Sequence, residues 1–256
     1  MGWESLTPSD EVEAADWIRD RLHPFAQDVG SIVPDGFDAY ARIFHPAWKF
    51  VDGAMIEVRW SDVAERNGRT VHAEMQFHSI ATPAPGRPTE PEPWDQDPRL
   101  GVLANIQTNA LIALLARHTS TPEACFFCLW DGYGYLYGSV ARMSFRFEGE
   151  PTPNAPPRAV TRPRRPKLRQ SRVRLPYRDY LLFTGSVQQG AGWEDGPNLW
   201  WPADRTWCVA SEIDFPYTYV GGSRSLIEEV VAHPLLESLP ATTSDGITAD
   251  SDKVNS

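Results

Sequence analysis

Lysine is scarce in this chain: Lys49, Lys167 and Lys253 are the only three among 24 basic residues. Arginine and 23 prolines abound instead, a bias that points to a GC-rich, bacterial coding sequence and says nothing of function. Cysteine is nearly absent too. Three residues, an odd number, argue against a disulfide framework and fit a reducing compartment, so a cytoplasmic location is expected. No stretch reaches the ~18 consecutive apolar residues of a membrane span, and Met1-Gly2-Trp3-Glu4-Ser5 lacks the basic start and apolar run of a secretion signal. Excess positive charge is missing as well. A formal net charge of -10 and a pI near 5.1 weigh against general affinity for nucleic acid or anionic membranes. The glycine pattern matches neither a Walker loop nor a dinucleotide fingerprint: Gly221-Gly222-Ser223 lacks the further glycines or lysine those sites need, and Gly132-Tyr133-Gly134 precedes a strand.

What is present is an ordinary globular composition, 41% hydrophobic and 23% charged over 256 residues, with ten tryptophans. Thr7-Pro8-Ser9-Asp10-Glu11 reads as the capped start of a first helix. Strands are expected at 39–45, 55–60, 125–130, 135–147, 180–187 and 207–213, with 125–130 and 135–147 paired as a hairpin. Val71 to Ile80 alternates apolar and polar residues and reads as the clearest strand. Helices are expected after Ser61 up to Asn67-Gly68, over Leu100 to His118, and from about Ser223, where Ser225 and Glu228 form a capping box. Six prolines between Pro83 and Pro98 mark a long loop. Strands and helices do not alternate regularly, so the order predicts a single α+β domain over residues 1–240, a largely antiparallel sheet flanked by helices. A Pro/Arg-rich loop at about 151–178 interrupts it, and the polar residues 241–256 read as a disordered tail.

Four clusters are candidates for chemistry. His72, Glu74, Gln76 and His78 share one face of the expected strand, where alternate positions can supply an acid/base pair; a solvated strand face gives the same pattern. Cys125 and Cys128 have the spacing of half a zinc knuckle, but no second pair exists and the apolar setting favours core thiols, so no metal and no cofactor are expected. Residues 158–178 hold nine basic and no acidic residues, among them Arg162, Arg164, Arg165, Lys167 and Arg169. Without them the body carries fifteen basic against thirty-four acidic residues, a formal charge of -19, so this segment either binds polyanions or lies on its own acidic body. Finally, Trp200, Trp201, Asp204 and Arg205 fall beside Pro202 in a loop-like stretch and combine residue types enriched at interface hot spots.

The strings Ser31-Ile-Val-Pro-Asp-Gly-Phe-Asp-Ala-Tyr-Ala-Arg-Ile-Phe-His-Pro46, Asn198-Leu-Trp-Trp-Pro-Ala-Asp-Arg-Thr-Trp-Cys208 and Tyr219-Val-Gly-Gly-Ser223 resemble an uncharacterised family of bacterial proteins, over most of residues 30 to 240. No activity is assigned to that family, so the resemblance implies no catalytic residue. The expected helix-flanked antiparallel sheet with many aromatics also resembles SUKH-type immunity proteins, which implies a protein-binding role by analogy of fold.

The leading expectation is therefore a non-enzymatic binding protein whose partner is another protein, recognised through Trp200, Trp201, Asp204 and Arg205. A hydrolase-like enzyme using His72, Glu74 and His78 is the second expectation, and a polyanion binder using the basic segment is the third.

Overall fold

The computed structural model describes residues 5–25, 27–88, 91–137 and 170–256. In chain order the elements are β1 (Thr7–Ser9), α1 (Asp16–Arg19), β2 (Ala39–Phe44), β3 (Ala47–Val51), β4 (Ala54–Val58), α2 (Trp60–Asn67), α3 (Phe77–Ala81), α4 (Asn105–Leu115), β5 (Cys125–Trp130), β6 (Arg172–Arg174), β7 (Asp179–Gly185), β8 (Leu199–Pro202), β9 (Cys208–Ala210), β10 (Tyr217–Gly222), α5 (Arg224–Ala232) and β11 (Ser238–Ala241). The fold is α+β. Nine strands form one antiparallel sheet in the order β1-β7-β5-β8-β9-β10-β2-β11, with β6 also on β7; β3 and β4 form a separate hairpin. β1 and β6 share the outer edge of β7 end to end, against residues 182–184 and 179–181 respectively.

Both faces of the sheet are buried, and this decides how its strands read. Phe127, Phe183, Trp200, Val209 and Val220 point to the side covered by α4 and α5. Cys128, Leu182, Trp201, Cys208 and Tyr219 point to the side that receives Trp60, Val63, Met75 and Ile247. A strand buried on both faces needs apolar residues at every position, so it reads as a continuous run rather than an alternation.

Several expectations are corrected. Thr7–Ser9 is an edge strand rather than a helix start, and helical turns begin only at Val12. β5 is flanked by β7 on one side and β8 on the other, so residues 135 onward are not its hairpin partner; of these the chain is described only to Tyr137, as a helical turn. The cap of α5 is Ser223, whose hydroxyl accepts from the Leu226 amide, two residues before the expected cap Ser225. The alternating stretch 71–80 is not a strand: it is irregular up to Gln76 and then enters α3, burying Met75, Gln76 and Ile80, which do not share a period of two. The Pro/Arg-rich stretch lies outside the described residues as far as residue 169.

The tail is packed as well. Ile247 and Asp252 are buried, and the Tyr217 hydroxyl donates to the Ile247 carbonyl at 2.9 Å. Asp252 accepts from the Gln76 amide (3.1 Å) and from Asn255, and it meets His72 at 2.8 Å. Polarity along 241–256 thus reflects side chains that cap backbone rather than chain that stays solvated. Removing such a buried acceptor strands its donors, so Asp252→Ala should cost roughly 1–3 kcal/mol in urea denaturation. An unchanged midpoint would show that the tail is not part of the folded unit.

Candidate functional site

The sequence-derived sites disperse in the fold. His72 is spent on Asp252, Glu74 accepts the Gly246 amide at 2.6 Å, and His78 is exposed on α3, so the first two serve the C-terminal segment and the three form no common site. Trp200 and Trp201 are 3% and 1% exposed in a central strand, on opposite faces of the sheet. Pro202 is compatible with that strand because the β8–β9 ladder runs only through Leu199 and Trp200, so no donor is missed. Asp204 is a structural cap: it accepts from Thr119, Ser120 and Thr206, and these hydrogen bonds outweigh partial burial and pull its carboxyl down to about 2. Arg205 alone of that group presents its side chain to solvent, its guanidinium 5.6 Å from the Trp17 ring centroid.

Cys125, Cys128 and Cys208 are free and buried, and burial pushes the Cys125 thiol up to about 12 and raises the other two as well, which makes them inert at neutral pH. Among the described residues no cluster of His, Cys, Asp and Glu fits a metal ion. Arg162, Arg164, Arg165, Lys167 and Arg169 lie outside the described residues. Of their described neighbours, Arg172 pairs with Asp131 at 2.9 Å and Arg178 pairs with Glu212 and Asp214. That part of the basic stretch therefore does bind the acidic body.

A different place gathers chemistry. Between the β3–β4 hairpin and the loop leading into α4 lies a cleft of about 420 Å³, lined by His45, Pro46, Trp48, Met55, Gln96, Asp97, Arg99, Val102, Leu103, Asn105 and Trp193. Local rules position each wall. Asp52 and Gly53 both have positive φ, 50° and 83°, the tight two-residue turn that matches strand twist, and it sets Trp48 opposite Glu57 and Phe50 opposite Met55. Cross-strand partners share a face, so Trp48, Phe50, Met55 and Glu57 lie together on the cleft side, where Glu57 accepts from Gln107 of α4 at 2.6 Å. The opposite wall is the end of the proline-rich loop. It clips onto β3 through paired Trp48 and Gln96 backbone bonds (2.9 and 3.0 Å) and through the Asp95 carboxylate on the Phe50 amide (2.7 Å). Gly101 then turns with φ 75°, and a Cβ there would come within 3.0 Å of the Ile213 Cα, so only glycine lets the loop lie this close to the sheet.

His45 forms the floor and is fully enclosed. Its Nδ1 lies 2.6 Å from the Arg99 carbonyl and its Nε2 2.8 Å from the Thr218 hydroxyl, which is 2.7 Å from that of Ser211. A carbonyl oxygen can only accept, so Nδ1 carries the proton, Thr218 donates to Nε2, and Ser211 donates to Thr218. Burial drives the ring's pKa down to about 4, so the imidazole is neutral and holds the Arg99 turn in place. Trp193 closes the base; its indole nitrogen donates to the Gln189 carbonyl at 2.7 Å and its ring packs on Phe127 and Phe183.

Apolar side chains are exposed around this cleft. Phe50, Met55, Leu100 and Ile106 are each about half exposed, and each is itself a lining residue or sits next to one or across a strand pair from one. The Asp-Gly dipeptide between two apolar runs was the readable signal for this hairpin; nothing in the sequence joined it to Arg99 or Trp193. Comparison with protein-family models, with curated proteins and with solved structures returns no match.

Proposed function

We propose that the protein is a binding protein whose recognition surface is the cleft between the β3–β4 hairpin and the 96–105 loop, and that its partner is another protein. The observation that carries this reading is a cavity lined by Trp48, Met55 and Trp193, with half-exposed Phe50, Leu100 and Ile106 adjoining its lining residues, since ligand sites are concave and largely apolar. Its polar groups favour binding over catalysis. His45 has both ring nitrogens engaged and is buried, and Asp97 accepts from the Trp94 indole at 2.8 Å, so neither is poised as a base beside a nucleophile. No helix among the described residues is long and apolar enough to cross a membrane.

Ten tryptophans make the reading testable by proton–nitrogen correlation spectra of the indole groups. Titration with phenethyl alcohol, a small neutral aromatic probe, is expected to move the Trp48 and Trp193 signals and leave Trp200 and Trp201 in place. Trp48→Ala should weaken the probe while changing stability by no more than about 1–2 kcal/mol, because Trp48 is only partly buried. Shifts confined to tryptophans outside the cleft would remove it as the site.

A further inference from the structure

The charges around the cleft are unevenly distributed, and their distribution selects among ligands. Asp97 belongs to the lining, Glu57 shares the hairpin face with Trp48 and Met55, Asp95 accepts from the Phe50 amide near the hairpin turn, and Glu194 and Asp195 follow Trp193 directly. The lining itself holds one of these five carboxylates, Asp97, and one cation. The Arg99 guanidinium donates to the Glu194 carbonyl and stands 3.8 Å from Asp195, beyond a hydrogen bond. Lys49 pairs with Ile56 and so projects from the opposite face of the hairpin, while Arg59 donates to the Pro234 carbonyl. His45 is neutral.

We propose that the group this cleft receives is a primary ammonium on an apolar stem, such as a lysine of the partner. The proposal rests on the binding reading above and adds the sign of the ligand's charge. Three features support it. Trp48 and the Met55 thioether offer soft, polarisable surface, with the largely buried Trp193 at its base, and such surface attracts cations as well as apolar groups. Glu57 and Asp195 are both half-buried, and burial raises their pKa values, Asp195 further through the neighbouring Glu194 charge. Positive charge arriving in the cleft relieves that penalty, whereas an anion deepens it. Finally, Arg99 is already engaged through Glu194 and the nearby Asp195, so a carboxylate ligand would have to compete for it.

The test uses three probes with the same ring and different charge: phenethylammonium, phenethyl alcohol and phenylacetate, each titrated against the full chain while the Trp48 and Trp193 indole signals are followed. Phenethylammonium should bind about tenfold or more tightly than the other two, with the gap narrowing as sodium chloride is raised. The double change Asp97→Asn with Asp195→Asn should erase that gap by weakening phenethylammonium towards the affinity of phenethyl alcohol. If phenethyl alcohol or phenylacetate binds the cleft as tightly as the ammonium, the charge inference is wrong and the binding reading stands. If none of the three moves these two indoles, both fall together.

Discussion

Trp201→Ala should lower stability by roughly 3–5 kcal/mol, the cost of emptying a large aromatic site in a packed core. Trp201 is 1% exposed, stacks on Phe126 with ring centroids 5.5 Å apart, and meets Trp17 edge-on at 6.2 Å. β8 cannot easily move to close the gap, because it is hydrogen-bonded to β5 on one side and β9 on the other. Arg205→Ala is expected to behave differently. Its one notable contact is the exposed guanidinium over the Trp17 ring, worth about 0.5–1 kcal/mol. Urea denaturation of both variants decides between a structural and a recognition role. If Trp201→Ala melts like the parent, the aromatic stretch is not core and its claim to be a binding surface returns.

That contrast shows where sequence reading succeeds and where it fails. α2 and α4 were legible because their signals are local: Gly68 closes α2 with φ 66° and its amide on the Ala64 and Glu65 carbonyls, and α4 carries a broad apolar stripe. Apolar runs marked β2, β5, β7 and β9 for the same reason. Trp200-Trp201-Pro202 misled because adjacent tryptophans on opposite faces of a doubly covered sheet have no polar alternation, and the proline falls past the β8–β9 ladder while still paired with Cys125 of β5. Residues 71–80 misled in the opposite sense. Their alternation is real in the sequence, but the partner that satisfies their backbone is the Asp252 carboxylate, 176 residues from Gln76, rather than a neighbouring strand. The cleft was the least legible part. Its walls come from 45–55, 96–105 and 193, brought together only once β10 pairs with β2 and His45 reaches Thr218, 173 residues away. Of these, only the Asp52-Gly53 turn was readable locally.

His45 links the cleft to stability through pH, and the expected effect is of similar size. Unfolded, its ring titrates near 6.5; folded, burial holds it to about 4. Between those values the unfolded chain binds the extra proton and the folded chain does not, so stability is full above about pH 6.5 and falls as the pH drops towards 4. A difference of about 2.5 units corresponds to roughly 3 kcal/mol at the low end of the window. The chemistry explains the loss. A protonated Nε2 must donate where it now accepts from Thr218, which forces the Ser211–Thr218 hydroxyl chain to reverse inside the core. Other groups contribute outside this window or with the opposite sign. The contribution of His23, whose pKa is raised chiefly by its hydrogen bond to Asp28, is present below its unfolded value and lost as pH rises through its folded one. Asp204 and Asp252, held low by their hydrogen bonds, lose theirs in more acid solution, and the raised pKa values of Glu57, Asp195 and Glu237 partly oppose the trend. The comparison must therefore be a difference between proteins. Urea denaturation of the parent and of His45→Gln across pH 4 to 7 should give a steeper acid loss for the parent, by roughly 3 kcal/mol over the range. Parallel curves for the two proteins would mean that the ring is not held neutral in the fold, and the proton assignment that anchors the Arg99 turn would fail with it.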